Sequence, residues 1–100
     1  MNYAYTLSRY AQEDYKASLK WYAERSEQAA ENFVVAIDEA IKLICENPER
    51  WNNKHENFYE FRLKNYPFLI IYTIEQPGYK ILVSAIYHTN RNPRGKYRKI

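Results

Sequence analysis

The 100-residue sequence predicts one α+β domain, spanning residues 1–100, in which two helices pack on one face of an antiparallel sheet. In the first half of the chain, apolar residues recur every three or four positions, which is the helical period. In the second half they alternate with polar residues or form short continuous runs, which is typical of strands. The predicted order is β-α-α-β-β-β: an N-terminal strand, an antiparallel two-helix hairpin and a three-stranded antiparallel meander.

The N-terminal half contains the first strand and both helices. Tyr3 to Leu7 predicts a short strand, and the hydroxyl of Ser8 is placed to cap the helix that follows. That helix, Arg9 to Glu24, carries one apolar stripe formed by Ala11, Tyr15, Leu19 and Tyr22. The second helix follows Ser26 and carries a stripe of Ala30, Phe33, Val34, Ile37, Ala40, Ile41 and Ile44. Asn47-Pro48 ends it, because proline disfavours helical geometry in the preceding residue.

The C-terminal half reads as a polar connection followed by the meander. The connection is Trp51 to Asn57. In the next strand Tyr59, Phe61 and Leu63 form an apolar face, and Glu60, Arg62 and Lys64 form a charged one. Phe68 to Ile74 predicts a central strand, Gln76-Pro77-Gly78 a turn, and Lys80 to Tyr87 the last strand. Strict alternation would place His88 on the same face as Leu82, Ser84 and Ile86.

Charge is divided unevenly along the chain. Residues 1–50 have a net charge of −3, and residues 51–100 have a net charge of +6. The stretch from His88 to Ile100 contains no acid and holds five cations, Arg91, Arg94, Lys96, Arg98 and Lys99. This asymmetry predicts an acidic or polyanionic partner for the C-terminal half.

Composition narrows the class of protein. The single Cys45 excludes an internal disulfide and fits a reducing compartment, and we find neither a secretory leader nor the roughly 20 apolar residues of a membrane span. We therefore expect a soluble, cytoplasmic protein. Two glycines leave no phosphate-binding loop, and His55 and His88 have no carboxylate at ligand spacing, so we expect no cofactor and no metal.

A set of residues along almost the whole chain resembles the RelE/ParE superfamily of toxins from type II toxin-antitoxin systems, most closely its ParE-like, plasmid stabilisation branch. The residues that carry the resemblance are Ala11, Asp14, Leu43, Asn47-Pro48, Arg62-Leu63, Tyr66-Pro67-Phe68, Ile71-Tyr72, Ile86, His88, Arg91, Pro93, Tyr97 and Arg98. The resemblance implies a toxin neutralised by a cognate antitoxin in a heteromeric complex. In ParE-like members the implied target is DNA gyrase, and in RelE-like members it is mRNA on the ribosome. Both branches share the fold, so fold cannot decide between them.

Ribonuclease activity is the alternative that needs catalytic residues. RNA cleavage requires a base, an acid and cations that stabilise the phosphate. The candidates are His88, Arg91, Tyr97 and Arg62, which would be catalytic only in a ribonuclease. Three of them have structural alternatives: His88 would fasten the sheet to the tail, Arg62 would pair with Glu60 or Glu75, and Arg91 would belong to a solvated terminus.

We expect a gyrase inhibitor that is not an enzyme, because the connection at residues 51–57 supplies only Lys54 and His55 for contact with the polyanionic ribosome. A ribosome-dependent mRNA endoribonuclease is the runner-up, and a non-catalytic nucleic-acid-binding or adaptor module is the third hypothesis. Antitoxin or target binding is assigned to Lys64, Arg91, Arg94, Tyr97 and Arg98.

Overall fold

A computed structural model describes residues 3–78, 80–90 and 96–97, apart from the side chains of residues 52–54. Within this part of the chain the elements are β1 (Ala4–Leu7), α1 (Arg9–Ala23), α2 (Glu27–Glu46), β2 (Asn52–His55), β3 (Phe58–Arg62), β4 (Phe68–Glu75) and β5 (Lys80–His88). The strands form one five-stranded sheet in the order β1-β5-β4-β3-β2, with the helices on one face. The predicted α+β class, helix hairpin and antiparallel β3-β4-β5 meander are confirmed. No helix in the described ranges has both the length and the apolarity to cross a membrane.

The sheet is mixed, because β1 runs parallel to β5, with Ala4 opposite Lys80. The expectation of a wholly antiparallel sheet is therefore wrong at β1. A parallel pair requires a long crossover connection. The helices and the remaining strands between β1 and β5 supply one.

The predicted polar connection contains a further strand. β2 pairs antiparallel with β3, placing Asn52 opposite Glu60 and Asn53 opposite Tyr59. The interpretation of Trp51 to Asn57 as a plain connection is therefore wrong. No apolar alternation in the sequence of this segment marks it as a strand. Backbone pairing with β3 defines β2.

Serine side chains cap both helices. The Oγ atom of Ser8 accepts a hydrogen bond from the backbone N–H of Ala11 at 3.1 Å, and that of Ser26 accepts one from Ala29 at 2.9 Å. Each satisfies a donor that the first helical turn leaves without an intrahelical acceptor. The predicted cap at Ser8 is confirmed, and α2 ends at Glu46, directly before the predicted stop.

The main core lies between the helices and the sheet. Phe33 of α2 is fully buried, with its ring centroid 4.9 Å from that of Tyr22 on α1 and 5.5 Å from that of Phe68 on β4. The other buried members include Ile37, Ile44, Ile70, Tyr72, Ile81, Val83 and Ile86. Most members of both predicted helical stripes and the apolar face of β3 therefore point into one core, whereas Val34 is wrong as a member because it is 38% exposed.

Helix α1 covers the edge of β5 beyond the end of β1. The backbone N–H of Ser8 donates to the carbonyl of Val83 at 2.8 Å, and its hydroxyl donates to the carbonyl of Ser84 at 2.9 Å. Further along, the carboxylate of Asp14 accepts the backbone N–H of Ile86 at 3.0 Å. Polar groups of α1 thus replace the neighbouring strand that β5 lacks there.

A β-bulge in β5 changes which residues face the helices. Ile71 lies opposite Ala85 and Tyr72 lies opposite Val83, which leaves Ser84 as the extra residue. One extra residue shifts the alternation of the strand by one. Ile81, Val83 and Ile86 consequently all face the core, Leu82 between the first two faces away, and the predicted grouping of Leu82 with His88 is wrong.

Candidate functional site

The sheet has a second apolar cluster on the face that carries no helix within the described residues, here called the helix-free face. Phe58, Ile71, Ala85 and Tyr87 are buried there. Tyr97, from the C-terminal part of the chain, packs against them. Strands β3, β4 and β5 place these side chains side by side, because residues paired in register share a face.

Glu60 lies on this face in β3, next to the edge strand β2, and is only 8% exposed. The hydroxyl of Tyr97 donates a hydrogen bond to its carboxylate. The ammonium of Lys96 lies 3.1 Å from the Oε2 atom of the same carboxylate. Sequence alternation placed Glu60 on a charged, solvent-facing side and offered it as a partner for Arg62, whereas the structure pairs it with Lys96 and Tyr97.

Aromatic contacts complete the arrangement around Glu60. The ring of Tyr97 stacks on His55, with centroids 4.6 Å apart and planes 19° apart, and lies 5.2 Å from Phe58. The Lys96 ammonium is 5.5 Å from the ring centroid of Tyr87, within cation–π range. We call the group formed by His55, Phe58, Glu60, Tyr87, Lys96 and Tyr97 the Glu60 cluster.

The Glu60 cluster changes the proton affinities of its two donors. Burial of Lys96 acts to lower its pKa, but the hydrogen bond and attraction from Glu60 outweigh this and raise the pKa overall. Burial raises the pKa of Tyr97, and the hydrogen bond to Glu60 adds to the rise, while Lys96 opposes it. At neutral pH the carboxylate therefore faces a charged ammonium and a protonated phenol.

His88 lies on the opposite face, where β5 ends against α1. Its Nδ1 atom accepts the backbone N–H of Asn90 at 3.1 Å, and its ring meets that of Phe68 edge-on at 5.1 Å. It also borders a pocket of about 320 Å³, with the other walls formed by Ala17, Ser18, Trp21, Tyr22, Pro67 and Phe68. These contacts match the structural alternative for His88, in which it fastens the end of the sheet to the following turn.

Arg62 and Lys64 lie at the far end of β3. Arg62 is exposed and pairs in register with Leu69, which packs on the helix-free face. Lys64 is exposed in the turn that follows. Both border a groove of about 320 Å³ between this turn and α2, where Val35 and Leu43 expose apolar side chains.

The sheet separates the candidate catalytic side chains. His88 faces the helices, whereas Arg62 and Tyr97 belong to the helix-free face. Arg91, Arg94 and Arg98 lie outside the described residues. Sequence reasoning missed Glu60, Lys96 and His55 as members of a site, although Glu60 is the only acid between residues 57 and 74. An isolated acid within a predicted strand of the basic half was the available signal.

A family model covers most of the chain. The model of the ParE toxin of the type II toxin-antitoxin system, parDE, matches residues 5–93. The chain belongs to the ParE toxin family. The predicted resemblance is confirmed at this level, and the protein is a toxin of the type II toxin-antitoxin class.

The fold of this ParE-family toxin is similar to that of a chain from the chromosomal ParDE toxin-antitoxin system of P. aeruginosa. The TM-score is 0.74 at 17% sequence identity, and the match covers 88% of this chain and 97% of that chain. At this identity the likeness concerns the fold. No match was found among curated proteins. The family match ends at residue 93, so Lys96 and Tyr97 of the Glu60 cluster lie beyond it.

Proposed function

We propose that this ParE-family toxin inhibits growth in the cytoplasm by acting on DNA gyrase, and that it does so by binding and not by cleaving RNA. The observation that supports this is the separation of His88 from Arg62 and Tyr97 across the sheet. General acid and base groups must reach the same reacting phosphate. The Tyr97 hydroxyl is already engaged with Glu60, which further favours a binding role for this face.

We also propose that a cognate antitoxin neutralises the toxin in a heteromeric complex. The groove lined by Lys64 and Glu39 combines the Lys64 cation with the exposed apolar side chains of Val35 and Leu43. An acidic, amphipathic segment that folds as it binds complements such a surface. Lys64, Arg91, Arg94 and Arg98 are the cations assigned to this contact, and the net charge of +6 in residues 51–100 supports it.

Expression in bacteria from a tightly controlled promoter tests the target. Minutes after induction, double-strand breaks in the chromosome and cleavage of abundant mRNAs are scored in the same cultures. Broken DNA with intact mRNA is the expected result. Cut mRNA with intact DNA would replace the proposal with the ribonuclease, and growth with neither lesion would favour the non-catalytic binding module. Purified gyrase and plasmid DNA then test directly whether the toxin traps cleaved DNA.

Co-expression with the protein encoded beside the toxin gene tests neutralisation. Growth should be restored, and the two proteins should copurify. Arg91→Glu should weaken this complex, since it places a negative charge where an acidic partner is expected. Arg9→Glu is the matched control, because the Arg9 side chain is 82% exposed on α1 and distant in sequence from the basic tail. Equal affinity for both variants would remove Arg91 from the contact.

A further inference from the structure

We propose that Glu60 is a positioning residue: it fastens Lys96 and Tyr97 to the helix-free face, and the surface so formed contacts the toxin's target. The fastening is inferred from the contacts of Glu60 with Lys96 and Tyr97 alone. Its role in target contact rests on the proposed function.

The burial of Glu60 supplies the first reason. The residue is 8% exposed and lies beside Phe58 and Ile71 of the apolar cluster on that face. A carboxylate in such surroundings is unfavourable unless cations or hydrogen-bond donors compensate for its lost hydration. Lys96 and Tyr97 both supply that compensation, and both come from more than 30 residues further along the chain. The buried Glu60 carboxylate therefore favours the conformation in which Lys96 and Tyr97 lie against the helix-free face.

The stacking of Tyr97 supplies the second reason. Its ring lies on His55 of β2 and beside Phe58 of β3, so it spans two strands at the sheet edge. A tyrosine held at its hydroxyl by Glu60 and at its ring by His55 has few rotamers left. The ring also covers part of the apolar cluster, which would otherwise face water.

The position of these residues in the sequence connects the fastening with function. Lys96 and Tyr97 belong to the stretch that holds five cations and no acid. The Lys96 side chain remains 22% exposed beside Glu60, and Arg62 is exposed on the same face. Ordering Lys96 and Tyr97 before the target arrives lowers the entropy that binding must overcome. An acidic protein surface on the target is the partner that such a face fits.

Chemical labelling of lysines tests the fastening without reference to toxicity. Each lysine is acetylated under limiting reagent and its rate is measured by mass spectrometry. Lys96, with a side chain 22% exposed, should react more slowly than Lys42, which is 71% exposed and is the internal reference. Glu60→Gln should accelerate Lys96 about tenfold, the lower end of the ratio that corresponds to losing one charge-assisted hydrogen bond. The reason is twofold: the ammonium is released, and its pKa falls toward that of a free lysine.

Glu13→Gln is the matched control, because Glu13 has the same charge change in an exposed pair with Arg9 on α1. It should leave the labelling of Lys96 unchanged. Should Glu60→Gln fail to fold by circular dichroism, Glu60→Asp retains the charge and shortens the reach, and a smaller acceleration is expected. An unchanged Lys96 rate in the folded Glu60 variant would overturn the fastening.

Trapping of cleaved DNA by purified gyrase tests the contact with the target. Lys96→Met should reduce trapping several-fold, and Lys96→Arg, which retains the cation, should restore most of it. Faster labelling of Lys96 in Glu60→Gln together with full trapping would overturn the target contact and leave the fastening intact. If the unaltered toxin traps no DNA, the proposed function fails, and the labelling still decides the fastening.

Discussion

The carboxylate of Asp14 on α1 accepts a hydrogen bond from the backbone N–H of Ile86 on β5, at 3.0 Å and across 72 residues of sequence. Ile86 is fully buried and the hydrogen bond is partly buried, so removing this acceptor leaves the N–H with at best a water molecule in its place. Asp14→Ala should lower the free energy of unfolding by about 1 to 3 kcal/mol, measured in urea. Asp14→Asn retains an acceptor oxygen and should lose less. Equal losses would show that the hydrogen bond is not what holds α1 to β5.

The two helix caps allow a matched comparison. Ser26→Ala removes an exposed cap and should cost about 1 kcal/mol. Ser8→Ala removes a cap and also the buried hydrogen bond to the carbonyl of Ser84. The Ser8 variant should therefore lose about 1 kcal/mol more than the Ser26 variant in the same urea titration. Similar losses would mean that the contact with Ser84 contributes nothing net.

Tyr72 places a hydroxyl inside the main core. It is fully buried and donates to the carbonyl of Pro48 at 2.6 Å, which ties β4 to the segment after α2. Burial is also the largest of the effects that raise its pKa. Tyr72→Phe should cost about 1 to 2 kcal/mol in the free energy of unfolding, because the Pro48 carbonyl loses its donor. Tyr5→Phe, at a ring that is 48% exposed, is the control and should lie within about 0.5 kcal/mol of the unaltered protein.

Alkaline pH should weaken the Glu60 cluster together with the core tyrosines whose pKa values burial also raises. The folded pKa values of Lys96 and Tyr97 both lie above their ordinary values of 10.5 and 10.0. A raised folded pKa means that the stabilisation is fully present below the unfolded pKa and is lost as pH rises through the folded one. The free energy of unfolding should thus be insensitive to these groups from pH 7 to about 10 and fall above that.

The double variant Lys96→Met, Tyr97→Phe removes both titrating groups of the cluster. Its free energy of unfolding, measured in urea from pH 7 to pH 11, should fall less steeply at the alkaline end than that of the unaltered toxin. Parallel curves would contradict the assignment of the alkaline loss to these residues.

Substituting the two histidines distinguishes the faces of the sheet. His88→Ala loses the contacts to Asn90 and Phe68, so it should lower stability by about 1 to 2 kcal/mol yet leave DNA breakage in induced cells. His55→Ala removes the ring on which Tyr97 stacks and should reduce DNA breakage more than stability. The reverse ranking would return His88 to the site.

Local patterns predicted the elements whose signals are local. The stripes of α1 and α2 and the stop at Asn47-Pro48 gave helix bounds within one residue of the structure, because helical period and proline geometry act over a few positions. Strand β2 was missed because polar residues such as Asn52 carry no periodic signal, and its pairing with β3 is a tertiary interaction.

The site was harder to predict than the fold. Alternation correctly assigned Glu60 to the face of β3 that also carries Arg62. The burial of Glu60, however, depends on contacts with Lys96 and Tyr97. These residues are too far along the chain for a local sequence pattern to reveal the contacts. The orientation of His88 depends on the bulge at Ser84, which shifts the alternation without leaving a glycine or proline to mark it.

The parallel pairing of β1 with β5 has a consequence for the order of events during synthesis. β5 is the last strand made, yet it lies inside the sheet between β1 and β4, and α1 also depends on it for hydrogen bonds. A bacterial chain grows at about 5 to 20 residues per second, and long-range pairing waits until both partners exist. The first residues of the toxin therefore have no partner strand until residues 80–83 have left the ribosome. A translating cell is exposed to the folded toxin only after most of the domain has been made.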